Sequence, residues 1–547
     1  MGNKSGKAVK TSTKLFFSGV VVLTVANLLV KVIGLLFKIP MNSVVGDEGM
    51  GYYTSAYTIY TFFYMISTAG LPSAVSIMIS KARSEGKLDQ IKRIFRITVG
   101  LFFIVGLVGM IAMFAGAHSF ANMLKAGPTY ICIMAIAPTL FFICISSALR
   151  GYFQGFQQMV PTAISELIEA ICKLALGIIF AIYALDCGYQ IHVVAAYAAA
   201  GLTIGAGLGM VYLCITKLLF KESAYTEEFI SESGVSHEVD PTGRILKNLI
   251  AIALPITISA SVMSLTNMID MVIVQRLLQE NGMTQEMATT VYGNYTTLAV
   301  PMFNLPPVLI YPISAALLPL LTVARKSGDS KRSRTIMESA LRVTVLIGVP
   351  CAFGMSALAK PILNLFYRVP ESIDMAAPLL RILAPSTLFV CILSITNVIL
   401  QACDQVRKPV ISMLSGAVVK LLSNYFLIQH IGMKGTPIST FLCYLTVTCL
   451  NFIFVAKYAN IVPNIRRVFL RPFVCGIVCA ATALGAYTLY SGFISPKIAT
   501  IAAIGTAGII YVLLIFLLKA VTADDVKLLP KGNKICAVLQ KIHLIKE

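Results

Sequence analysis

The feature that most constrains this chain is a series of apolar segments, each long enough to cross a lipid bilayer. A transmembrane helix needs about 20 apolar residues, and runs of that length recur about fourteen times along the sequence. Hydrophobic residues make up 57% of the 547 residues and charged residues only 12%, whereas a soluble domain carries about 25% charged residues. The pattern predicts an all-α polytopic membrane protein with about 14 transmembrane helices.

The distribution of basic residues predicts how these helices are oriented. The net charge is +20, and the lysines and arginines concentrate in alternate loops and in the two tails. About 32 of the 44 fall on one side of the membrane, which the positive-inside rule makes the cytoplasmic side. We therefore expect a multi-pass protein with both termini in the cytoplasm. Since no basic domain stands apart from the spans, we expect no nucleic-acid binding.

An internal repeat predicts two six-helix lobes. The residues Ala82, Arg83, Gly86, Gln154 and Lys173 recur in order as Ala324, Arg325, Gly328, Gln401 and Lys420. We expect an N-lobe at 1–216 with spans 1–6, a cytoplasmic linker at 217–244, and a C-lobe at 245–458 with spans 7–12. Spans 13 and 14 and a basic cytoplasmic tail occupy 459–547. Transporters built from such repeats bind substrate between the halves.

The first apolar segment, residues 15–40, carries charge inside the predicted membrane. Asn27, Lys31, Gly34 and Lys38 are spaced so that they share one helical face. A lysine at bilayer depth costs roughly 2.5 kcal/mol or more, so it normally faces protein or a water-filled cavity. We interpret Lys31 as lining a basic cavity that binds an anion. For Lys38, near the helix end, snorkelling of the ammonium to the interface is the competing interpretation.

The fifth apolar segment has a second charged stripe, made of Thr162, Glu166, Glu169 and Lys173. Glu169 and Lys173 stand four residues apart in the acid-first order that favours a pair within one helix. One interpretation is a self-neutralising pair that locks this helix to a neighbour, and the other is a cavity lining. Glu166 has no partner on its own helix, which makes it the better candidate for a functional contact or a proton site.

An aromatic stripe runs along the second apolar segment. Tyr53, Tyr57, Tyr60 and Tyr64 fall on one face over three turns. An interfacial aromatic belt would occupy only one or two turns. The stripe therefore favours a cavity wall on which sugar rings or polar groups rest.

The second half carries its own intramembrane charges. Asp270 could pair locally with Arg276 or act as counter-ion to a lysine of the first half. Lys420 follows Ser412 and Gly416 at four-residue intervals, a spacing typical of close helix packing. The charge on Lys420 favours a cavity instead.

The sequence lacks the signatures of an enzyme. We find no phosphate-binding glycine loop with its lysine, and the predicted external loops are too short for a catalytic domain. The histidines fall in loops or tails, and the cysteines do not form a metal-binding pattern. We expect no catalytic residues, no metal and no cofactor.

Two segments resemble a known family. They are GDEGMGYYTSAYTIYTFFYMISTAGLPSAVSIMISKARSEG at 46–86 and LRGYFQGFQQMVPTAISELIEAICKL at 149–174. Both resemble the polysaccharide-exporter branch of the MOP flippase superfamily, and are most similar to MurJ-type lipid II flippases and SpoVB-type proteins. The resemblance implies that basic residues of the first span, here Lys31, face the substrate pyrophosphate, and that the last two spans form a groove for a polyprenyl tail. MurJ-type proteins commonly have an arginine pair where this chain has Phe63-Tyr64-Met65.

Together these observations predict a flippase of the bacterial plasma membrane. Its substrate would be an undecaprenyl-pyrophosphate-linked sugar, lipid II or a related cell-wall precursor, moved from the inner to the outer leaflet by alternating access. The alternatives are a MATE-type multidrug or cation antiporter and a non-transporting scaffold for wall or spore assembly. We expect a monomer whose partners are the lipid-linked saccharide and the bilayer. The predicted substrate-binding residues are Lys31, Lys38, Tyr57, Tyr60, Tyr64, Glu166, Lys173 and Lys420, with Glu169 and Asp270 as coupling or counter-ion residues.

Overall fold

The computed structural model describes residues 2–220, 239–326, 329–459 and 466–518. Within these ranges all of the regular secondary structure is helical. Most of the predicted linker and the basic tail after residue 518 lie outside the described residues.

Within each described range the helices follow one another with short connections. Those of the first part are α1 (Gly2–Thr68), α2 (Leu71–Ser84), α3 (Leu88–Ala115), α4 (Ala117–Met123), α5 (Thr129–Gly155), α6 (Val160–Asp186) and α7 (Ile191–Leu219). Next come α8 (Thr242–Glu280), α9 (Gln285–Asn294), α10 (Val300–Lys326), α11 (Ser330–Ala357), α12 (Ala359–Phe366), α13 (Pro370–Leu383) and α14 (Ser386–Ala402). The last are α15 (Arg407–Ile431), α16 (Gly435–Ala459), α17 (Arg471–Tyr490) and α18 (Pro496–Leu517).

The helical membrane fold predicted from the sequence is confirmed. In the described parts of the chain, nine helical segments are long and apolar enough to cross a membrane, or ten if the bent pair α13 and α14 is one span. That pair is bent by 47°, with Pro385 at the break. The expected count of about 14 spans stays a prediction. The segments Val25–Arg83 and Arg407–Ala459 each count once, although each covers two of the predicted spans.

The described chain divides into two compact units. The first contains Met1–Gln275 and Gln285–Gly293, and the second contains Arg276–Thr284 and Asn294–Glu547. This division assigns most of α8 to the first unit, because Ile245 and Leu249 are buried in the same core as Phe102 and Tyr152. The sequence repeat placed residues 245–458 in a C-lobe. The two compact units are defined by contacts, whereas the two lobes are defined by the sequence repeat. The lobe boundaries therefore remain a prediction.

Helix α1 is broken at Gly46, and the break lets its two parts meet. Gly46 has φ 69° and ψ 178°, a conformation that is essentially restricted to glycine. The rings of Phe37 and Tyr53 lie 5.6 Å apart between centroids. In an unbroken helix these positions would be separated by about 24 Å along the axis. The chain therefore reverses at Gly46, which brings the lysine face of the first segment against the tyrosine face of the second.

We expect Gly46→Ala to lower the free energy of unfolding by about 1 to 3 kcal/mol, because alanine is strained at this φ and ψ. Thermal unfolding in detergent measures the loss. Gly100→Ala is the matched control: Gly100 lies inside α3, and an added Cβ would meet no atom within 4 Å. An equal loss for both variants would contradict the assignment of the strain to Gly46.

Candidate functional site

The first unit contains a cavity of about 380 Å³ between α1, α5, α6 and α7. Its wall carries five charged side chains, which are Lys31, Arg150, Glu166, Glu169 and Lys173. The wall also carries three aromatic side chains and one amide, which are Phe37, Tyr57, Tyr64 and Asn27. The two charged stripes seen in the sequence thus face one common space.

The lysine face of α1 forms one wall of this cavity. Asn27, Lys31 and Gly34 all line it, as their helical spacing predicts. The Lys31 side chain is exposed, whereas Lys38 is half-buried. Lys38 is not among the described residues that line the cavity. The interpretation of Lys38 as a cavity residue therefore gains no support from the lining, and it stays a prediction.

Helix α7 packs closely against α6 beside the cavity. A Cβ built on Gly205 would lie 2.9 Å from the carbonyl oxygen of Glu169, and one built on Gly209 would lie 3.2 Å from that of Ser165. A Cβ on Gly201 would meet the backbone of Gly177. Small residues at four-residue intervals let helix backbones approach closely in membrane proteins. The charged stripe of α6 lies beside this contact, since a Cβ on Gly205 would also meet the backbone nitrogen of Lys173.

Arg150 binds both glutamates of α6. Its Nη2 lies 3.2 Å from Oε2 of Glu169, and its Nη1 lies 3.9 Å from Oε1 of Glu166. Its Nε donates to Oγ of Ser165 at 3.1 Å. Arg150 is only 9% exposed, so the guanidinium needs these partners to offset the cost of desolvation. Among the described residues, Oε2 of Glu166 is buried without a hydrogen-bond partner.

Lys173 lies among aromatic rings. Its Nζ is 4.6 Å from the centroid of Tyr57, 5.0 Å from that of Phe37 and 6.0 Å from that of Tyr53. Such cation–π contacts contribute about 0.5 to 2 kcal/mol each. In the described part of the chain no carboxylate oxygen lies within 4 Å of this ammonium. The pairing of Glu169 with Lys173, one of the two interpretations of this stripe, is therefore not seen, because the arginine of a neighbouring helix binds the carboxylate.

The tyrosines of α1 form a continuous ladder. Successive ring centroids of Tyr53, Tyr57, Tyr60 and Tyr64 are separated by 6.1, 5.7 and 5.9 Å. Tyr57 and Tyr64 line the cavity, whereas Tyr53 and Tyr60 are buried behind it. The structure thus places two of the three predicted tyrosines at the cavity wall and Tyr60 in the packing that supports them.

The remaining predicted residues lie elsewhere. Asp270 is buried on α8 in the first unit, and Lys420 is half-buried on α15 in the second unit. Neither belongs to the lining of this cavity among the described residues. Of the described residues, no group of three or more His, Cys, Asp or Glu is placed to hold a metal ion.

Arg150 and Phe37 are not among the site residues predicted from the sequence. Arg150 stands near the end of an apolar segment, where an arginine ordinarily reaches the interface. Phe37 is one of many apolar residues in its segment. A weak signal for Arg150 existed, because two glutamates at intramembrane positions require a cation and their own helix supplies only Lys173.

The charges make the lining slightly positive. Three cationic side chains (Lys31, Arg150 and Lys173) stand against two carboxylates (Glu166 and Glu169), which leaves a formal charge of +1. Both carboxylates are turned to Arg150. The two lysines and the neighbouring tyrosines can therefore receive an anion that is attached to a neutral, ring-shaped group.

Comparisons with known proteins agree with this architecture. The family model described as Polysaccharide biosynthesis protein matches residues 16–324, more than half of the chain. The chain belongs to the polysaccharide biosynthesis protein family. A second model, MatE, matches residues 255–426.

Two relatives from Bacillus subtilis (strain 168) are similar to this family member over most of their length. Lipid II flippase MurJ is 25% identical over 465 residues, covering 82% of this chain and 84% of the relative. Stage V sporulation protein B is 24% identical over 523 residues, covering 94% of this chain and 98% of the relative. A solved structure of lipid II flippase MurJ in an inward closed conformation has a TM-score of 0.70 at 15% identity, covering 91% of this chain and 98% of that one. The predicted resemblance to MurJ-type and SpoVB-type proteins of the MOP superfamily is confirmed, and the solved structure shows a shared fold.

The ring contacts of Lys173 predict how Tyr57 responds to substitution. We expect Tyr57→Leu to lower the free energy of unfolding by about 1 kcal/mol, because the ring and its contact with the ammonium are lost. Tyr57→Phe keeps both and should change stability little. Thermal unfolding of the two variants in detergent tests this. A loss of the same size in Tyr57→Phe would assign the effect to the hydroxyl instead of the ring.

Proposed function

We propose that this family member is a flippase for a lipid-linked saccharide. Its substrate is an undecaprenyl-pyrophosphate-linked sugar, lipid II or a related cell-wall precursor, carried from the inner to the outer leaflet by alternating access. The observation that carries the proposal is the cavity in the first unit, where Lys31 and Lys173 face a common space beside Tyr57 and Tyr64. We propose a monomer in the bacterial plasma membrane, with both termini in the cytoplasm.

The two lysines suit the diphosphate. Lys31 is exposed in the cavity, and the described carboxylates nearest to Lys173 are bound by Arg150. A phosphate oxygen that accepts from an ammonium makes a charge-assisted hydrogen bond, which is about twice as strong as a neutral one. Lys38, Lys420 and Asp270 remain proposed contacts or counter-ions that act outside this lining.

The tyrosines suit the saccharide. Sugar rings present apolar faces and polar edges, and a tyrosine offers a flat apolar surface with one hydroxyl. Tyr57 and Tyr64 both line the cavity, on either side of Tyr60 in the ladder, and can support rings on the same side as the diphosphate. Glu166 adds a hydrogen-bond acceptor at the same wall, since it lines the cavity.

A MATE-type antiporter of cations is the second candidate, because the MatE model matches residues 255–426. Cationic substrates call for carboxylates that are available in the cavity. Here Glu166 and Glu169 both pair with Arg150, and the formal charge of the lining is positive. The arrangement favours an anion, and export of cationic dyes by the intact protein would support the antiporter instead.

We expect Lys31→Ala and Lys173→Ala to abolish transport while the protein still inserts in the membrane. Each removes a charged donor, and a hydrogen bond to a charged group contributes about 1.5 to 3 kcal/mol. The measurement is growth of a bacterium depleted of its own lipid II flippase and supplied with this gene. Lys497→Ala, at an exposed lysine on α18, is the matched control and should support growth. Normal growth with both cavity variants at normal expression would refute the proposed site.

We expect the membrane potential to drive export. A diphosphate is anionic and the cell interior is negative, so the potential favours outward movement by about 2.3 kcal/mol per charge per 100 mV when the whole field is crossed. The test is transport of a lipid-linked diphosphate in vesicles while ionophores collapse the potential and the pH gradient separately. Transport that survives loss of the potential but stops with the proton or sodium gradient would contradict this prediction and direct attention to Glu166 and Asp270.

A further inference from the structure

Arg150 makes all of its described polar contacts with one helix. Its Nε, Nη1 and Nη2 reach Ser165, Glu166 and Glu169 of α6. Each of its three nitrogens thus has a partner on α6.

Glu169 has two cations within reach of its position on α6. Lys173 follows it by four residues in the same helix, in the order that stabilises a pair by about 0.2 to 0.5 kcal/mol. Arg150 offers a planar guanidinium with several donors, which binds carboxylates more strongly and more directionally than an ammonium. In the structure Oε2 of Glu169 lies 3.2 Å from Nη2 of Arg150, so Glu169 pairs with Arg150 instead of Lys173.

The position of Lys173 shows the consequence of this competition. Its ammonium lies over the rings of Tyr57 and Phe37, at 4.6 and 5.0 Å from their centroids. Aromatic rings stabilise a cation without cancelling its formal charge. The ammonium therefore keeps the charge that an anionic ligand requires, at the wall of the cavity.

We propose that Arg150 is a positioning residue that keeps Glu169 away from Lys173 and so leaves Lys173 available to a diphosphate. This inference rests on the proposed function, because it concerns the same cavity. Without Arg150, Glu169 would turn to Lys173 and neutralise it. Glu166 cannot do the same, since it is seven residues from Lys173, which is about 10 Å along the helix axis.

The test measures binding of undecaprenyl pyrophosphate to the full-length protein in lipid nanodiscs. We expect Arg150→Gln to weaken binding about tenfold, which corresponds to about 1.4 kcal/mol. Adding Glu169→Gln should restore binding to within about threefold of the native protein, because Lys173 regains its availability. The double variant of Arg150→Gln with Glu166→Gln is the matched control. This control has the same net charge as the double variant with Glu169→Gln. Its binding should remain weak because Glu169 is still present to neutralise Lys173.

Three outcomes would overturn the inference. Equal restoration by the Glu166 and Glu169 substitutions would show that only net charge matters. Restoration by neither would show that Arg150 acts on binding other than by holding Glu169, either by contacting the diphosphate or, if thermal stability falls as well, by supporting the fold. If the native protein does not bind undecaprenyl pyrophosphate, the proposed function is refuted together with the inference. The same holds if it binds and neither Lys31→Ala nor Lys173→Ala weakens that binding. If Arg150→Gln weakens binding and Glu169→Gln does not selectively restore it, only the inference is refuted.

Arg150→Lys supplies the same comparison if Arg150→Gln fails to fold. It keeps the net charge but loses the planar fork, so it should hold Glu169 less well and weaken binding about threefold. Glu169→Gln should then restore binding, while Glu166→Gln should not. A purely structural role for Arg150 would lower thermal stability in these variants without this selective rescue.

Discussion

The ion network around Arg150 is the interaction on which the candidate site depends. A guanidinium that is 9% exposed is costly unless it is paired, and here it is held by two carboxylates and a hydroxyl of one neighbouring helix. The network joins α5 to α6 and decides which charges the cavity presents. Because the carboxylates are directed to Arg150, Lys31 of α1 and Lys173 of α6 determine the charge that the cavity offers to a ligand.

Two backbone features put these side chains within reach of one another. The glycines of α7 allow it to lie close against the backbone of α6 at Ser165, Glu169 and Gly177, beside the cavity. The break at Gly46 reverses α1, so that Phe37 meets Tyr53 and both rings reach Lys173. The charged and aromatic side chains of the site thus come from α1, α5 and α6, and Leu202 of α7 completes the lining.

Helical periodicity predicted much of the cavity wall. Asn27, Lys31 and Gly34 share a face by spacing alone, and the same holds for Glu166, Glu169 and Lys173. These residues do line one cavity. Spacing also favoured a pair between Glu169 and Lys173, which the structure does not show. Spacing could not decide between the pair and the cavity lining, because a spacing rule considers only cations on the same helix, whereas Arg150 is fifteen positions before Ser165 and reaches it from α5.

The sequence by itself determined that the chain is a helical membrane protein, because apolar length and backbone hydrogen bonding in lipid leave few other solutions. It also determined which charged and aromatic residues share a helical face. The tertiary structure decided which of these faces meet, that Arg150 takes both glutamates, and that Lys173 rests on aromatic rings while Lys38 stays outside the lining. These choices depend on how the helices cross and rotate against one another, and that is set by packing between positions far apart in the chain.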